Sequence, residues 1–203
     1  MRISIITATN QTKYMDRVWQ SVENQTFKNW EWIIVNDGSK EVEDWYKQNV
    51  SKLRETNSEV WLVSIEKNKG RFGLYTRNVG AMVASYEDIV FLDDDNEWEP
   101  NHLESLVNLK LKTDKIPYCW MYLKGKKEGS DYERIKKTHF GKQGIDLGCL
   151  LWNRDLFEQY GYFKNDSQVT FDWNCIARVY YGLGPNRFEC TEEPTLIFWH
   201  KRY

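Results

Sequence analysis

Several common signals are missing from this chain. No apolar run approaches the roughly 20 residues that span a bilayer. Residues 1–6 are mostly apolar, but Thr7, Thr9, Asn10 and Gln11 interrupt them at once. A secretion signal needs a longer apolar core, so no membrane span and a cytoplasmic location are expected. With 28 basic and 30 acidic residues, net charge -2, there is no cationic excess, and a dedicated nucleic-acid binder normally has one. The four cysteines, Cys119, Cys149, Cys175 and Cys190, are not spaced as a zinc knuckle or a redox pair, so reduced thiols are expected. Neither a G-x-x-x-x-G-K-[ST] loop nor a G-x-G-x-x-G fingerprint occurs. Any bound phosphates would be held by a metal ion and arginines. Repeats, low-complexity tracts and linkers are also lacking, so the 203 residues are read as one domain, long enough to bury a core without disulfides.

Tryptophan, by contrast, is abundant, with ten residues. Aromatic rings stack on the apolar faces of sugars, and they also fill cores. The order of elements is more informative. Residues 2–8 read as a strand, 14–23 as a helix with apolar Met15, Val18, Trp19 and Val22, and 31–35 as a buried strand ending at Asn36-Asp37-Gly38-Ser39. A polar helix over 41–53, a strand over 60–65, a helix over 74–86 and a strand over 88–92 follow, then a helix over 99–111 with Pro100 in its first turn. Strand–helix alternation predicts βαβ units and a mostly parallel sheet. The second half is less regular: a strand over 117–123, a charged hairpin or loop over 124–137, helices over 155–160 and 172–181, and a short last strand over 195–199.

Ligands of open α/β sheets bind beyond the carboxyl ends of the strands. Those ends carry Thr7-Ala8-Thr9-Asn10, Asn36-Asp37-Gly38-Ser39 and Asp93-Asp94-Asp95, so three polar clusters converge on one edge. If the backbone stays extended, Asp93 and Asp95 face one space and Asp94 another. Crowded carboxylates repel, and a hard divalent cation, Mn2+ or Mg2+, relieves the repulsion. The competing reading is a solvated acidic turn that caps the next helix.

Taken in order, Ile3-Ser4-Ile5-Ile6-Thr7-Ala8-Thr9-Asn10, Ser21-Val22-Glu23-Asn24-Gln25-Thr26, Trp32-Ile33-Ile34-Val35-Asn36-Asp37-Gly38-Ser39, Asn68-Lys69-Gly70, Thr76-Arg77-Asn78-Val79-Gly80 and Phe91-Leu92-Asp93-Asp94-Asp95-Asn96 resemble the inverting family 2 glycosyltransferases. The resemblance implies a single α/β domain of the GT-A type, a Rossmann-like, mostly parallel central sheet flanked by helices. Residues 1–111 would bind a nucleotide-sugar, and a smaller irregular half, 112–203, a carbohydrate or glycan acceptor. It implies that Asp37 reads the base of a UDP-sugar donor, with Thr7 and Thr9 flanking it and Arg77 lining the pocket. Asp93 and Asp94 match the ribose side of a D-x-D signature, and Asp95 its metal ligand. Thr9, Asn36 and Thr76 depart from common family residues.

A diphosphate neutralised by metal leaves readily, so one carboxylate is needed to take the proton of the attacking hydroxyl. Asp172 is the candidate base by resemblance, with a plain helix cap as the alternative, and Asp146 is the second choice. Trp152 and Trp173 are candidate acceptor platforms, with core packing as the alternative. His200 falls where relatives place a histidine near metal and diphosphate, and Lys201 and Arg202 beside it would pair with phosphate; a surface histidine in a frayed tail is the alternative. Rival functions compete with this reading, the broadest being a structural interaction module with an acidic turn. A sugar nucleotidyltransferase would carry a basic glycine-rich loop after the first strand, which Asn10-Gln11-Thr12-Lys13 does not provide. A non-catalytic nucleotide-sugar or carbohydrate-binding protein would bind donor without turnover.

Overall fold

The near-continuous apolar run at the start forms β1 (Ile3–Thr9), with Ile3, Ile5 and Ile6 essentially inaccessible. A strand buried on both faces belongs in the middle of a parallel sheet. β1 pairs in parallel with β2 (Trp30–Asn36) on one side and β4 (Asp88–Phe91) on the other. β3 (Val60–Ser64) extends the sheet beyond β2, and the two-residue β8 (Trp152–Asn153) closes the other edge antiparallel to β4. The order is β3-β2-β1-β4-β8. The structure is a computed structural model; it describes residues 1–56, 59–70, 73–127, 130–141, 143–164 and 171–200, with only the backbone of residues 56, 126, 127, 130, 132, 171 and 200.

Helices cover both faces. In α1 (Met15–Glu23) the stripe Met15, Val18, Trp19 and Val22 is buried, as its spacing predicted. α2 (Lys40–Thr56) packs on β3, and α3 (Leu74–Val83) lies over β1 and β2. The depth of α3 is set by Gly80, where a Cβ would come within 2.4 Å of Ile6 Cγ2 and 3.2 Å of Val35 Cγ2. α4 (His102–Thr113) begins two residues after Pro100, which therefore precedes the helix instead of sitting in its first turn. The Pro100 carbonyl accepts from the Thr26 amide at 2.8 Å.

The second half is more ordered than its sequence indicates. β5 (Glu97–Trp98), β6 (Ile116–Lys127), β7 (Ser130–Lys136) and β9 (Phe188–His200) form a second sheet in the order β5-β9-β6-β7. β9 spans 13 residues, where only a short strand was expected. Register shifts at Tyr118/Trp120 and Trp120/Met121 break the two-residue alternation that a sequence reading depends on. The charged segment is the β6–β7 hairpin. Two helices complete the domain, α5 (Asp155–Tyr160) and α6 (Phe171–Leu183). The cysteines are free, as expected, and among the described residues no helix is long and apolar enough to cross a membrane.

Two expected site residues belong to the core. Trp152 is fully buried and packs 5.6 Å from Phe157, centroid to centroid, so its ring has no face for a sugar. Thr7 is also fully buried, and its hydroxyl accepts from Trp32 Nε1 at 3.0 Å. It lies two residues short of the strand end, with its hydroxyl engaged inside the sheet. The close approach at Gly80 yields a stability prediction. Gly80→Ala drives a methyl into Ile6 and costs about 1–3 kcal/mol by overpacking, read as a lower urea midpoint with unchanged slope.

Candidate active site

Because β1, β2 and β4 run parallel, their carboxyl ends share one edge. Thr9 lies opposite Asn36, and the Leu92 amide donates to the Ile6 carbonyl at 3.0 Å as β4 ends. The three polar clusters therefore meet as the strand pattern predicted. The β2 end turns tightly at Gly38, with φ +72°, where a Cβ would stand 2.5 Å from the Asn68 amide nitrogen. Asn36 shapes this turn by accepting from the Ser39 amide and donating to the Ser39 carbonyl, both at 2.9 Å. Asp37 is 4% exposed and accepts from the amides of Lys69 and Gly70 at 2.8 and 3.0 Å. It thus fastens the loop before α3 to the strand end.

The acidic triplet is a turn, closed by the Asn96 amide donating to the Asp93 carbonyl at 3.1 Å. The alternation expected of an extended chain ends at Leu92, and the side chains diverge. Asp94 reaches back to β1, where its Oδ2 accepts from Thr9 Oγ1 at 2.7 Å and from Gln11 Nε2 at 3.3 Å. Burial, with the like charges of Asp95 and Asp93 adding to it, holds the Asp94 carboxyl above the usual carboxylate range against these hydrogen bonds. Asp93 reaches across to α3 and binds Arg77 Nη2 at 2.5 Å. Thr9 belongs to the site as the hydroxyl that orients Asp94.

Arg77 joins the two halves of the chain. Its side chain is 11% exposed, and Nη1 lies 3.8 Å from Asp172 Oδ1 at the start of α6. Burial disfavours the cation, but Asp93, Asp172 and Asp146 outweigh it and raise the pKa further. Asp146 caps a short 3-10 turn, Leu147–Cys149, accepting from the Gly148 amide at 2.8 Å. Burial, then the charges of Asp93 and Asp172, push its carboxyl well above the usual range. Asp172 is raised chiefly by burial, with Arg77 opposing and Asp93 adding. It still keeps 38% of its side chain accessible. Breaking a buried pair costs about 3–5 kcal/mol, a large part of the ~5–15 kcal/mol that holds a domain together. An Arg77 substitution would therefore report on folding as much as on binding.

The segment before α6 is anchored from both sides. Asn78 donates to the Phe163 carbonyl and accepts from its amide, both at 2.9 Å. Arg178 donates to the carbonyls of Tyr160, Gly161 and Tyr162. Sequence reading missed both, because each joins residues that local patterning does not relate. Trp173 is partly buried against the core and partly accessible. The His200 backbone ends β9 opposite Gly125. The His200 side chain, Lys201 and Arg202 lie outside the described residues.

A divalent ion was expected at the triplet. Among the described residues, no three His, Cys, Asp or Glu side chains are placed to hold one. Magnesium-type sites often need only one or two carboxylates, with phosphates and water supplying the rest. Asp95 and Asp93 add like charge around Asp94, whose carboxyl is raised first by burial, and a cation would relieve that repulsion. The described residues do not form a preassembled cage, and any ion here would need further ligands from a bound molecule or water.

The strand ends thus gather carboxylates and an arginine at one edge of a mostly parallel sheet flanked by helices. The glycosyl transferase family 2 model matches residues 4–179, and the chain belongs to that family. It is 25% identical over 202 residues to the uncharacterized glycosyltransferase YwdF of Bacillus subtilis (strain 168), covering 94% of this chain and 72% of that protein. It is 33% identical over 94 residues to the UDP-Glc:alpha-D-GlcNAc-diphosphoundecaprenol beta-1,3-glucosyltransferase WfgD of Escherichia coli, covering 46% of this chain and 34% of that one. The crystal structure of S. aureus TarS 1-349 in complex with UDP-GlcNAc matches at TM-score 0.76 with 19% identity, over 100% of this chain and 60% of that one. The chain thus spans less than two thirds of WfgD and of the TarS fragment.

The raised carboxyl of Asp146 gives a signed prediction. A carboxyl whose pKa is higher folded than unfolded binds its proton more tightly in the native state. Its contribution is fully present below the unfolded pKa, about 3.9, and is lost as pH rises through the folded value. Asp146→Asn keeps the cap to Gly148 and removes the buried charge. Its urea midpoint is expected above wild type near pH 7 and equal to it near pH 3, where both side chains are neutral.

Proposed function

We propose that the chain transfers a sugar from a UDP-sugar to an acceptor hydroxyl with inversion, and that Asp172 is the general base. One observation carries this reading: the buried Arg77 holds a strand-end carboxylate, Asp93, and an acceptor-half carboxylate, Asp172, within one site. A donor seated across the strand ends places its base toward Asp37 and the 68–70 loop, and its diphosphate toward the acidic turn. Asp37 has both oxygens engaged by amides, yet each retains a lone pair for a base N–H. The complex of TarS with UDP-GlcNAc supports a nucleotide-sugar in a fold of this kind.

Asp95 and His200 would hold a divalent cation, Mn2+ or Mg2+, which would neutralise charge on the leaving diphosphate. The chain's own residues do the remainder. Thr9 and Gln11 fix Asp94 on the ribose side of the turn. Arg77 holds Asp93 beside the donor. Asp172 accepts the proton of the acceptor hydroxyl as its oxygen bonds to the anomeric carbon and the bond to the diphosphate oxygen breaks. Its raised pKa suits a base working near neutrality. Attack from the side opposite the leaving group inverts the anomeric centre, by the logic of single-displacement glycoside chemistry. Trp173, one residue on, is the remaining aromatic platform for a glycan acceptor, and Asp146 shapes the floor beneath.

Release of nucleotide from a panel of UDP-, GDP- and dTDP-sugars tests the reading without a known acceptor. UDP release that requires Mn2+ or Mg2+ is expected; absence of release from every donor contradicts it. Asp172→Asn should retain UDP binding and lose about 10²–10⁴-fold in transfer. The acid limb of the wild-type rate profile should lie above the ordinary carboxylate range and disappear in the variant. Near-normal turnover in Asp172→Asn would move the base to Asp146. Asp95→Ala should abolish metal-dependent UDP affinity, measured by calorimetry.

A further inference from the structure

Beyond the Thr9 and Gln11 hydrogen bonds to Asp94, the acidic turn is held at three points, of which the Arg77 contact to Asp93 is the first. The second hold comes from α1. Arg17 Nη2 donates to the Asp95 carbonyl at 2.7 Å, and its Nε forms an ion pair with Glu97 Oε1 at 2.9 Å. The Arg17 guanidinium also lies between two aromatic faces, 4.8 Å from the Tyr14 ring and 4.7 Å from the Trp199 ring. The third hold comes from β9: the Trp199 amide donates to Asn96 Oδ1 at 3.2 Å, and the Trp199 indole donates to Glu97 Oε1. Arg17, Glu97 and Trp199 therefore form a closed circuit around residues 95–97. Two of its members lie next to expected metal ligands in sequence: Asn96 follows Asp95, and His200 follows Trp199.

Packing does not require this circuit. α1 is secured by Met15, Val18, Trp19 and Val22, all buried. Arg17 and Glu97 keep 30% and 20% of their side chains accessible, and partly solvated pairs add little to stability. A planar fork that meets a carbonyl, a carboxylate and two rings at once is a device for setting geometry. Lysine, a single point charge, cannot reproduce it.

We infer that Arg17 is a positioning residue that locks the Asp95 backbone to the Trp199 end of β9, so that the acidic turn is set before the donor arrives. This rests on the UDP-sugar reading above. Outer contacts of this kind change metal or substrate affinity without touching either.

UDP affinity by calorimetry, with Mn2+ and with EDTA, tests the inference in wild type, Arg17→Gln, Trp199→Leu and the double variant, each with its thermal midpoint. Arg17→Gln is expected to weaken Mn2+-dependent UDP binding about 10–100-fold with a near-wild-type midpoint. The double variant should be no weaker than the worse single variant, because both break one circuit. Wild-type affinity in Arg17→Gln, or fully additive losses in the double variant, overturns the inference. If Arg17→Gln fails to fold, Arg17→Lys takes its place: it keeps the charge and should show the same loss, and intact UDP affinity in it overturns the inference equally. Absence of Mn2+-dependent UDP binding in wild type contradicts the donor reading itself, and is seen before any variant is made.

Discussion

A buried guanidinium at the mouth of a parallel sheet is the constraint on which the rest of this site depends. Arg77 can stay charged there only because carboxylates surround it, and those carboxylates can crowd together only because Arg77 is there. Its position follows from packing one turn further along the same helix. Gly80 lets α3 settle against Ile6 and Val35, and this brings Arg77 level with the ends of β1 and β4. Asp93 then answers from the first half of the chain and Asp172 from the second. What looks like two halves in sequence is, electrostatically, one site.

Charge is distributed unevenly within this cluster. Asp93 is paired with the Arg77 guanidinium. Asp146 and Asp172 are both pushed toward the neutral form by burial first and by Asp93, with Asp172 adding at Asp146 and Arg77 opposing at both, and of the two Asp172 keeps 38% of its side chain accessible. Environments that separate the tendencies of nearby carboxyl groups are how one site assigns different tasks to identical side chains. The same reasoning makes Asp94, tied to Thr9 and Gln11, a fixed wall and not a mobile ligand.

Much of the first half was legible in the sequence. Continuous apolar runs marked β1 and β2, the stripe on α1 marked its buried face, and the polar residues after each strand marked the site edge. The turn at Asp93–Asn96 was legible in place but not in shape, because alternation describes only extended backbone. Trp152 stays open between core and platform for a related reason: a tryptophan on a two-residue edge strand has no periodic signal to separate the two, and its full burial decides for the core. Thr7 shares the fate of any polar residue placed two positions inside a buried strand. The second sheet escaped because register shifts in β6 scramble its pattern. Arg17, Asn78, Arg178 and Trp199 carry contacts over long sequence separations, and no local window holds both partners.

The central claim is that the edge formed by Asp37, Arg77 and the acidic turn receives a nucleotide diphosphate together with a cation. The most direct measurement is a crystal structure with UDP and Mn2+, with the manganese located by its anomalous scattering. The account predicts one manganese peak bridging the Asp95 carboxylate and the diphosphate, with uracil near Asp37. A nucleotide bound elsewhere, with the carboxylates of residues 93–95 directed into bulk water, would contradict it.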